Sequence, residues 1–300
     1  MGLLLTTPRA RLRRLVRPGA PSVLAGRTVL VTGASSGIGE ATAVAAAARG
    51  AHVVLVARRQ AELDRVRATI EAAGGRASSY AVDLSDLAAI DVLVERVLAE
   101  VGTVDHLVNN AGRSIRRSLE LSHDRFHDFE RTMAINYFAP VRLTMGLLPT
   151  MREQGFGHVV NIVTWGVQVK APKFAAYIAS KTALDSWARI AGRETYADGV
   201  TFTNMRFALV RTPMVVPTDA YDGRASMTAE QAAAAVVRVL EDRRVTWDTA
   251  AGRIGAVVNV VAPRLSDALM SRFHRAVPDS AAARGAVPGR TGSPSVSEQQ

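Results

Sequence analysis

The sequence contains no cysteine. That excludes disulfides, thiolate metal sites and a cysteine nucleophile, and it fits a reducing compartment such as the cytoplasm. No apolar run approaches the roughly eighteen residues that a membrane-spanning helix needs. Aromatic residues make up only 5% of the chain, yet 48% is apolar, which suits a packed core and not a disordered polymer. Histidine is sparse. His123 and His127 have the spacing of paired ligands on a helix, but no third ligand accompanies them, so they read as helix-surface residues and no metal is expected. Acidic residues are missing where the charge is highest: residues 1–27 hold six arginines and no acid, and residues 264–300 hold five arginines against three acids. The net charge of +10 therefore sits mostly at the ends, and the body between them is close to neutral. The arm "RARLRRLVR" (9–17) is compatible with contact to anionic lipid or an acidic partner. No aromatics interleave with its arginines, so nucleic acid is not an expected partner. The run "LLL" ahead of it is too short for a signal peptide and precedes the charges.

From Gly26 onward, short apolar runs alternate with helix-like segments. "RTVLVTG" (27–33), "AHVVLVA" (51–57), "ASSYAVD" (77–83), "VDHLVNN" (104–110), "GHVVNIV" (157–163) and "VTFTNMRF" (200–207) read as strands. Helical segments are expected at 38–49, 60–73, 86–101, 123–153 and 175–197, then at 229–243 and about 250–275 with an interruption at Pro263. That alternation predicts an α/β fold, an open doubly wound parallel sheet with helices on both faces. Residues 208–228 read as a long loop, and the Pro-, Gly-, Ser- and Gln-rich tail 286–300 as disordered.

"TGASSGIG" (32–39) closes the first strand and opens the first helix. Its glycines, Gly33, Gly37 and Gly39, allow a tight turn and close backbone approach, and the helix start offers free N–H groups to a diphosphate. Ser35, Ser36 and Ile38 belong to the same turn. About twenty residues past such glycines an acid selects a ribose 2′-hydroxyl and an arginine a 2′-phosphate. Here Arg58 and Arg59 follow the second strand and no acid appears before Glu62, which favours NADP over NAD.

Only three of the 37 basic residues are lysines, and one of them stands four positions after a tyrosine in "AAYIASKTAL" (175–184). On a helix Tyr177 and Lys181 share a face. A nearby ammonium favours a phenolate, which lets a tyrosine move protons near neutral pH. The same spacing also arises in an ordinary surface pair, so the rest of the chain has to decide.

"TGASSGIG", "VDLSD" (82–86), "NNAG" (109–112), Asn136 in "MAINYF" and "YIASK" (177–181) occur together in the order and spacing of the short-chain dehydrogenase/reductase family, which the chain resembles over residues 26–262. The resemblance implies a single Rossmann-type catalytic domain there; outside it, residues 1–25 read as a basic N-terminal arm and 263–285 as a C-terminal helical extension. It implies that Asp83 and Leu84 lie by the adenine, that Asn110, Ala111 and Gly112 flank the cofactor, and that Thr212 touches the nicotinamide carboxamide. It implies Tyr177 as proton donor, Lys181 as its electrostatic partner and ribose ligand, and Asn136 as holder of a proton-relay water. It also implies a homo-oligomer.

Two positions depart from the family pattern. Thr164 stands thirteen residues before Tyr177, where serine is usual; it keeps the hydroxyl, and its methyl restricts the rotamer and narrows the pocket. Phe207-Ala208 stands where Pro-Gly is usual. The substrate wall is expected from 214–227, with Met214, Val215, Val216, Tyr221 and Met227, and from the C-terminal segment. That lining suits an apolar substrate. The loop and "FHRAVPDSAAARG" (273–285) look similar to family members that reduce long-chain acyl-CoA or fatty aldehydes. The reading is thus an NADP(H)-dependent reductase of an acyl-chain carbonyl. A ketone or hydroxysteroid reductase and a non-catalytic NADP-binding protein remain as alternatives. The amphipathic segment 250–275 either closes the pocket, packs on a partner subunit or lies on a membrane surface.

Overall fold

Short apolar runs become the largely buried strands β1 (Thr28–Thr32), β2 (His52–Ala57), β4 (His106–Asn109), β5 (Gly157–Thr164) and β6 (Val200–Phe207), and the more exposed β3 (Arg76–Ala81) and β7 (Thr246–Asp248) form the sheet edges. All pair in parallel in the order β3-β2-β1-β4-β5-β6-β7. The computed structural model describes residues 22–214, 225–280 and 282–284. The expected basic residues 1–21, Val215, Val216 and Tyr221, and the tail 286–300 lie outside the described residues.

The helices are α1 (Gly37–Ala47), α2 (Gln60–Ala72), α3 (Leu87–Glu100), α4 (Phe126–Met133), α5 (Ala139–Glu153), α6 (Gly166–Val169), α7 (Ala175–Glu194), α8 (Ala229–Asp242), α9 (Ala250–Val261) and α10 (Pro263–Ala276). Alternate strand residues face opposite layers. Val29, Val31, Val53 and Leu55 join the core under α1, α2 and α8, whereas Leu30, Val54 and Val56 join the core under α3, α5 and α7. The strands therefore read as continuous apolar runs rather than alternating ones.

Four local expectations change. The helix expected from 123 begins at Phe126, because residues 118–125 fold into turns through Leu121 N–Ser118 O and Arg125 N–Ser122 O bonds; His123 is thus not helical. A π-turn, Ala134–Phe138, interrupts what reads as one helix. The chain joins the core before Gly26, since Leu24 is fully buried and Ser22 bonds Glu241 at 3.1 Å. Within the expected loop, Met227 pairs with Val210 and packs on the core instead of facing substrate.

Candidate active site

The topology reverses between β1 and β4, and loops leaving the two strands in opposite directions open a crevice at their C-terminal ends, where open α/β sheets bind ligands. The buried Thr32 hydroxyl ties the two loops together. It accepts from the backbone N–H of Asn110 (2.9 Å) and Ala111 (3.0 Å) and donates to Val108 O (3.2 Å). Asn110 adds a side-chain bond to Thr32 O at 2.9 Å. The resulting cleft has a volume of about 1100 Å³.

Gly33, Ser35, Ser36, Gly37 and Ile38 line one end of it, with Arg58, Asp83 and Leu84 beyond them, and Asn110, Ala111 and Gly112 along the floor. Thr164, Tyr177, Lys181 and Thr212 line the other part. Two expected residues do not line it. Gly39 lies beneath the turn, where a Cβ would come within 2.2 Å of Gly33 O, so its glycine permits helix α1 to pack against the turn. Asn136 is fully buried behind Gly112.

Asn136 sits in the middle of the π-turn, a geometry that inserts an extra residue and re-aims a side chain. Its Oδ1 accepts from Arg113 N at 2.9 Å; its Nδ2 donates to Arg113 O (2.9 Å) and Ser180 Oγ (3.0 Å). Ser180 in turn donates to Tyr177 O at 2.7 Å. The amide thus ties the loop after β4 to the helix that carries Tyr177. A Cβ on Gly112 would lie 2.9 Å from Asn136 Oδ1 and 3.4 Å from Lys181 Nζ, so the backbone passes between them.

Tyr177 and Lys181 lie one turn apart on α7, and both line the cleft. Lys181 is only 3% exposed, and its Nζ donates to Ile162 O at 2.9 Å. Burial brings its pKa down to about 8. Phe174 packs edge-on to Tyr177, ring centroids 6.4 Å apart. Thr164 ends β5, and its Oγ1 accepts from Gly166 N at 3.1 Å, which fixes the hydroxyl's position at the cleft wall. The arrangement can therefore hold a hydroxyl and a phenol beside a buried amine in one cavity.

Arg58 and Arg59 line the cleft, are exposed, and take part in no ion pair among the described residues. Glu62, the first acid after them, is held by Arg65 at 3.1 Å, and Arg65 also grips Glu40 at 2.7 Å. The glycine turn with two unpaired guanidiniums beside it fits the diphosphate and phosphorylated ribose of a dinucleotide.

Several lining residues carry no local sequence signal. Trp165, Phe174 and Ile178 give apolar wall, joined by Phe273 and Val277 from the C-terminal segment that was expected to contribute. Arg113 and Arg116 add positive charge, and Arg116 Nη1 is buried with no hydrogen-bond partner among the described residues. The C-terminal segment reaches the cleft because Lys173 Nζ donates to Val277 O (2.6 Å) and Asp279 accepts from Ser118 N (3.0 Å). Ser180 lies inside the quoted "YIASK" motif, which was the available signal for it.

Comparison with known proteins fits this geometry. The short chain dehydrogenase family model matches residues 27–222. A fatty acyl-CoA reductase of Acinetobacter baylyi is 45% identical over 260 residues, covering 87% of this chain and 88% of that protein. A fatty acyl-CoA reductase of Mycobacterium tuberculosis is 48% identical over 256 residues, covering 84% and 86%. Among solved structures, a 3-oxoacyl (acyl-carrier-protein) reductase from Agrobacterium tumefaciens with NADP bound superposes with a TM-score of 0.68 at 31% identity, covering 75% of this chain and 91% of that one. The chain belongs to the short-chain dehydrogenase/reductase family and is an NAD(P)-dependent oxidoreductase.

Proposed function

We propose that this oxidoreductase uses NADPH to reduce a carbonyl on an apolar acyl chain, with Tyr177 as the proton donor. The observation that carries the reading is Tyr177 and the buried Lys181 on one face of α7, in the same cleft as the glycine turn. The unpaired Arg58 and Arg59 and the engaged Glu62 support NADPH over NADH. So do the NADP-bound structural neighbours. The apolar wall of Trp165, Phe174, Ile178 and Phe273 supports a hydrocarbon chain, as do the two relatives named fatty acyl-CoA reductases. Arg113 and Arg116 suit a chain carried on an anionic group.

Gly33–Ile38, Asp83, Asn110–Gly112, Thr212 and Lys181 would hold the dinucleotide, which would supply a hydride for the carbonyl carbon. The Thr164 hydroxyl hydrogen-bonds the carbonyl oxygen and orients it. Tyr177 gives that oxygen its proton as negative charge builds there. The Lys181 ammonium stabilises the phenolate left behind, in a site where burial strengthens the interaction. Asn136 holds Ser180 and the Arg113 backbone, which fixes α7 against the loop.

Among the described residues no helix is long and apolar enough to cross a membrane. The reading places the enzyme in the cytoplasm with peripheral access to membranes. Exposed Val92, Phe138 and Met145 on and beside α3 and α5 support a homo-oligomer. The test is NADPH turnover on long-chain aldehydes, acyl-CoAs, 3-oxoacyl thioesters and steroid ketones, with Tyr177→Phe alongside. Activity on the acyl substrates, lost by about 100-fold or more in the variant at nearly unchanged NADPH affinity, is expected. Activity confined to sugars or polyols would refute the substrate class, and a variant retaining most of its rate would refute the donor.

A further inference from the structure

The exposed surface of α9 and α10 carries a run of large apolar side chains. Gly252, Gly255 and Asn259 of α9 face inward: Gly252 is buried, a Cβ on Gly255 would lie 2.5 Å from Val169, and Asn259 donates to Gln168 O at 2.7 Å. Ile254, Val257 and Val261 recur on the opposite side at intervals of three and four, which is one helical stripe. They are 65%, 61% and 76% exposed, and the neighbouring Val260 is 81% exposed. The next helix adds Leu265 and Leu269, 57% and 51% exposed and four residues apart, with Phe273 one turn further on. The two helices are tied by a Ser266–Asn259 side-chain bond of 2.5 Å. Scattered exposed leucines and valines need no explanation, but two continuous stripes on adjacent helices mark a surface that meets something apolar.

The charges around the stripes choose the occupant. Arg253, Arg264, Arg272 and Arg275 are all exposed there, against the single acid Asp267. A second copy of the chain, docked by two-fold symmetry, would bring the same arginines against each other in a protein already at +10. An anionic bilayer accepts both features, apolar side chains in the acyl boundary and guanidiniums among the headgroups. The helices are too short to span: 12 and 14 residues give about 18 and 21 Å against a hydrocarbon core of about 30 Å. The stripe of α10 also runs into the active site, since Phe273 and Val277 line the cleft.

We propose that the α9–α10 pair lies on an anionic membrane surface and that the cleft opens onto it, so that an acyl substrate passes from bilayer to active site beside Phe273. The delivery half rests on the acyl-chain reading above; the docking half does not.

The test uses the full chain and vesicles of phosphatidylcholine alone or mixed equally with phosphatidylglycerol. Flotation should recover the protein with the mixed vesicles and far less of it with neutral ones. The Val260→Glu, Val261→Glu double variant alters two side chains that point into solvent, so its circular dichroism and NADPH affinity should match the parent. Its partition into mixed vesicles should fall by about tenfold or more. Equal partition of parent and variant would overturn the proposal, because the basic N-terminal arm would then account for binding. No partition of either would also overturn it, as would a parent dimer that the variant converts to monomer without any vesicle binding. Turnover of hexadecanal held in vesicles should drop in the variant, while turnover of a short water-soluble aldehyde stays level. Partition is read without substrate, so an enzyme that floats but reduces no acyl carbonyl refutes the acyl reading and leaves the docking intact.

Discussion

Lys181→Met should leave the cofactor-free fold at least as stable at neutral pH while abolishing catalysis. Lys181 is 3% exposed, with an Nζ hydrogen bond of 2.9 Å to Ile162 O. Burial lowers its pKa from 10.5 to about 8, which is a folding penalty on the ammonium. A gap of about 2.5 pH units at about 1.4 kcal/mol each amounts to about 3 kcal/mol. Below about pH 8 the amine is charged in folded and unfolded chains alike, and the penalty is present in full. Between about 8 and 10.5 the unfolded chain holds the proton and the folded one does not, so stability rises with pH. Above 10.5 the amine is neutral in both states and the penalty is gone. Methionine removes the charge but leaves Ile162 O without its donor, a cost of about 1–3 kcal/mol. At about pH 7 the variant should therefore equal or exceed the parent by up to about 2 kcal/mol. Near pH 10.5 it should fall below the parent by about 1–3 kcal/mol, since only the lost bond remains. Urea unfolding of both proteins across this range reads the difference directly, and groups common to the two cancel. A difference that does not change with pH would refute the reasoning, because it would mean that water reaches the amine. Reductase activity should drop by about 100-fold or more at every pH.

Two further outcomes follow from backbone and core geometry. Gly39→Ala forces a methyl to 2.2 Å from Gly33 O and should abolish NADPH binding or folding, whereas Gly74→Ala, with φ +78° and nothing within 4 Å, should cost only about 1–2 kcal/mol and leave NADPH affinity unchanged, both read by thermal unfolding with and without cofactor. Asn161→Ala breaks a buried ladder in which Asn109 donates to Asn161 (2.9 Å) and Asn161 to Asn204 (3.1 Å), and urea titration should show a loss of about 2–4 kcal/mol; a loss under about 1 kcal/mol would mean the ladder contributes little.

The sheet was legible because its central strands are buried on both faces and punctuated by glycine, and because helices of ten or more residues separate most of them. β6 was expected at 200–207 and spans Val200–Phe207. β7 was missed: Thr246–Asp248 has three residues, too few to show a period, and is a strand only because β6 lies beside it. The π-turn was missed for a related reason, since "AINYF" carries no helix breaker and its geometry comes from the bonds Asn136 makes to Arg113 and Ser180.

By itself the sequence determined the glycine turn, the arginines after the second strand and the Tyr177–Lys181 spacing, because each depends on neighbours within one turn or one strand end. Only the tertiary structure decided which residues meet across the chain. It set Asn136 behind Gly112, tied Thr32 to Asn110, and brought Phe273 and Val277 to a cleft begun at Gly33. It also buried Lys181, on which the electrostatics depend. Local pattern reports which face a side chain takes, but sheet order and helix packing determine what lies on the other side of that face.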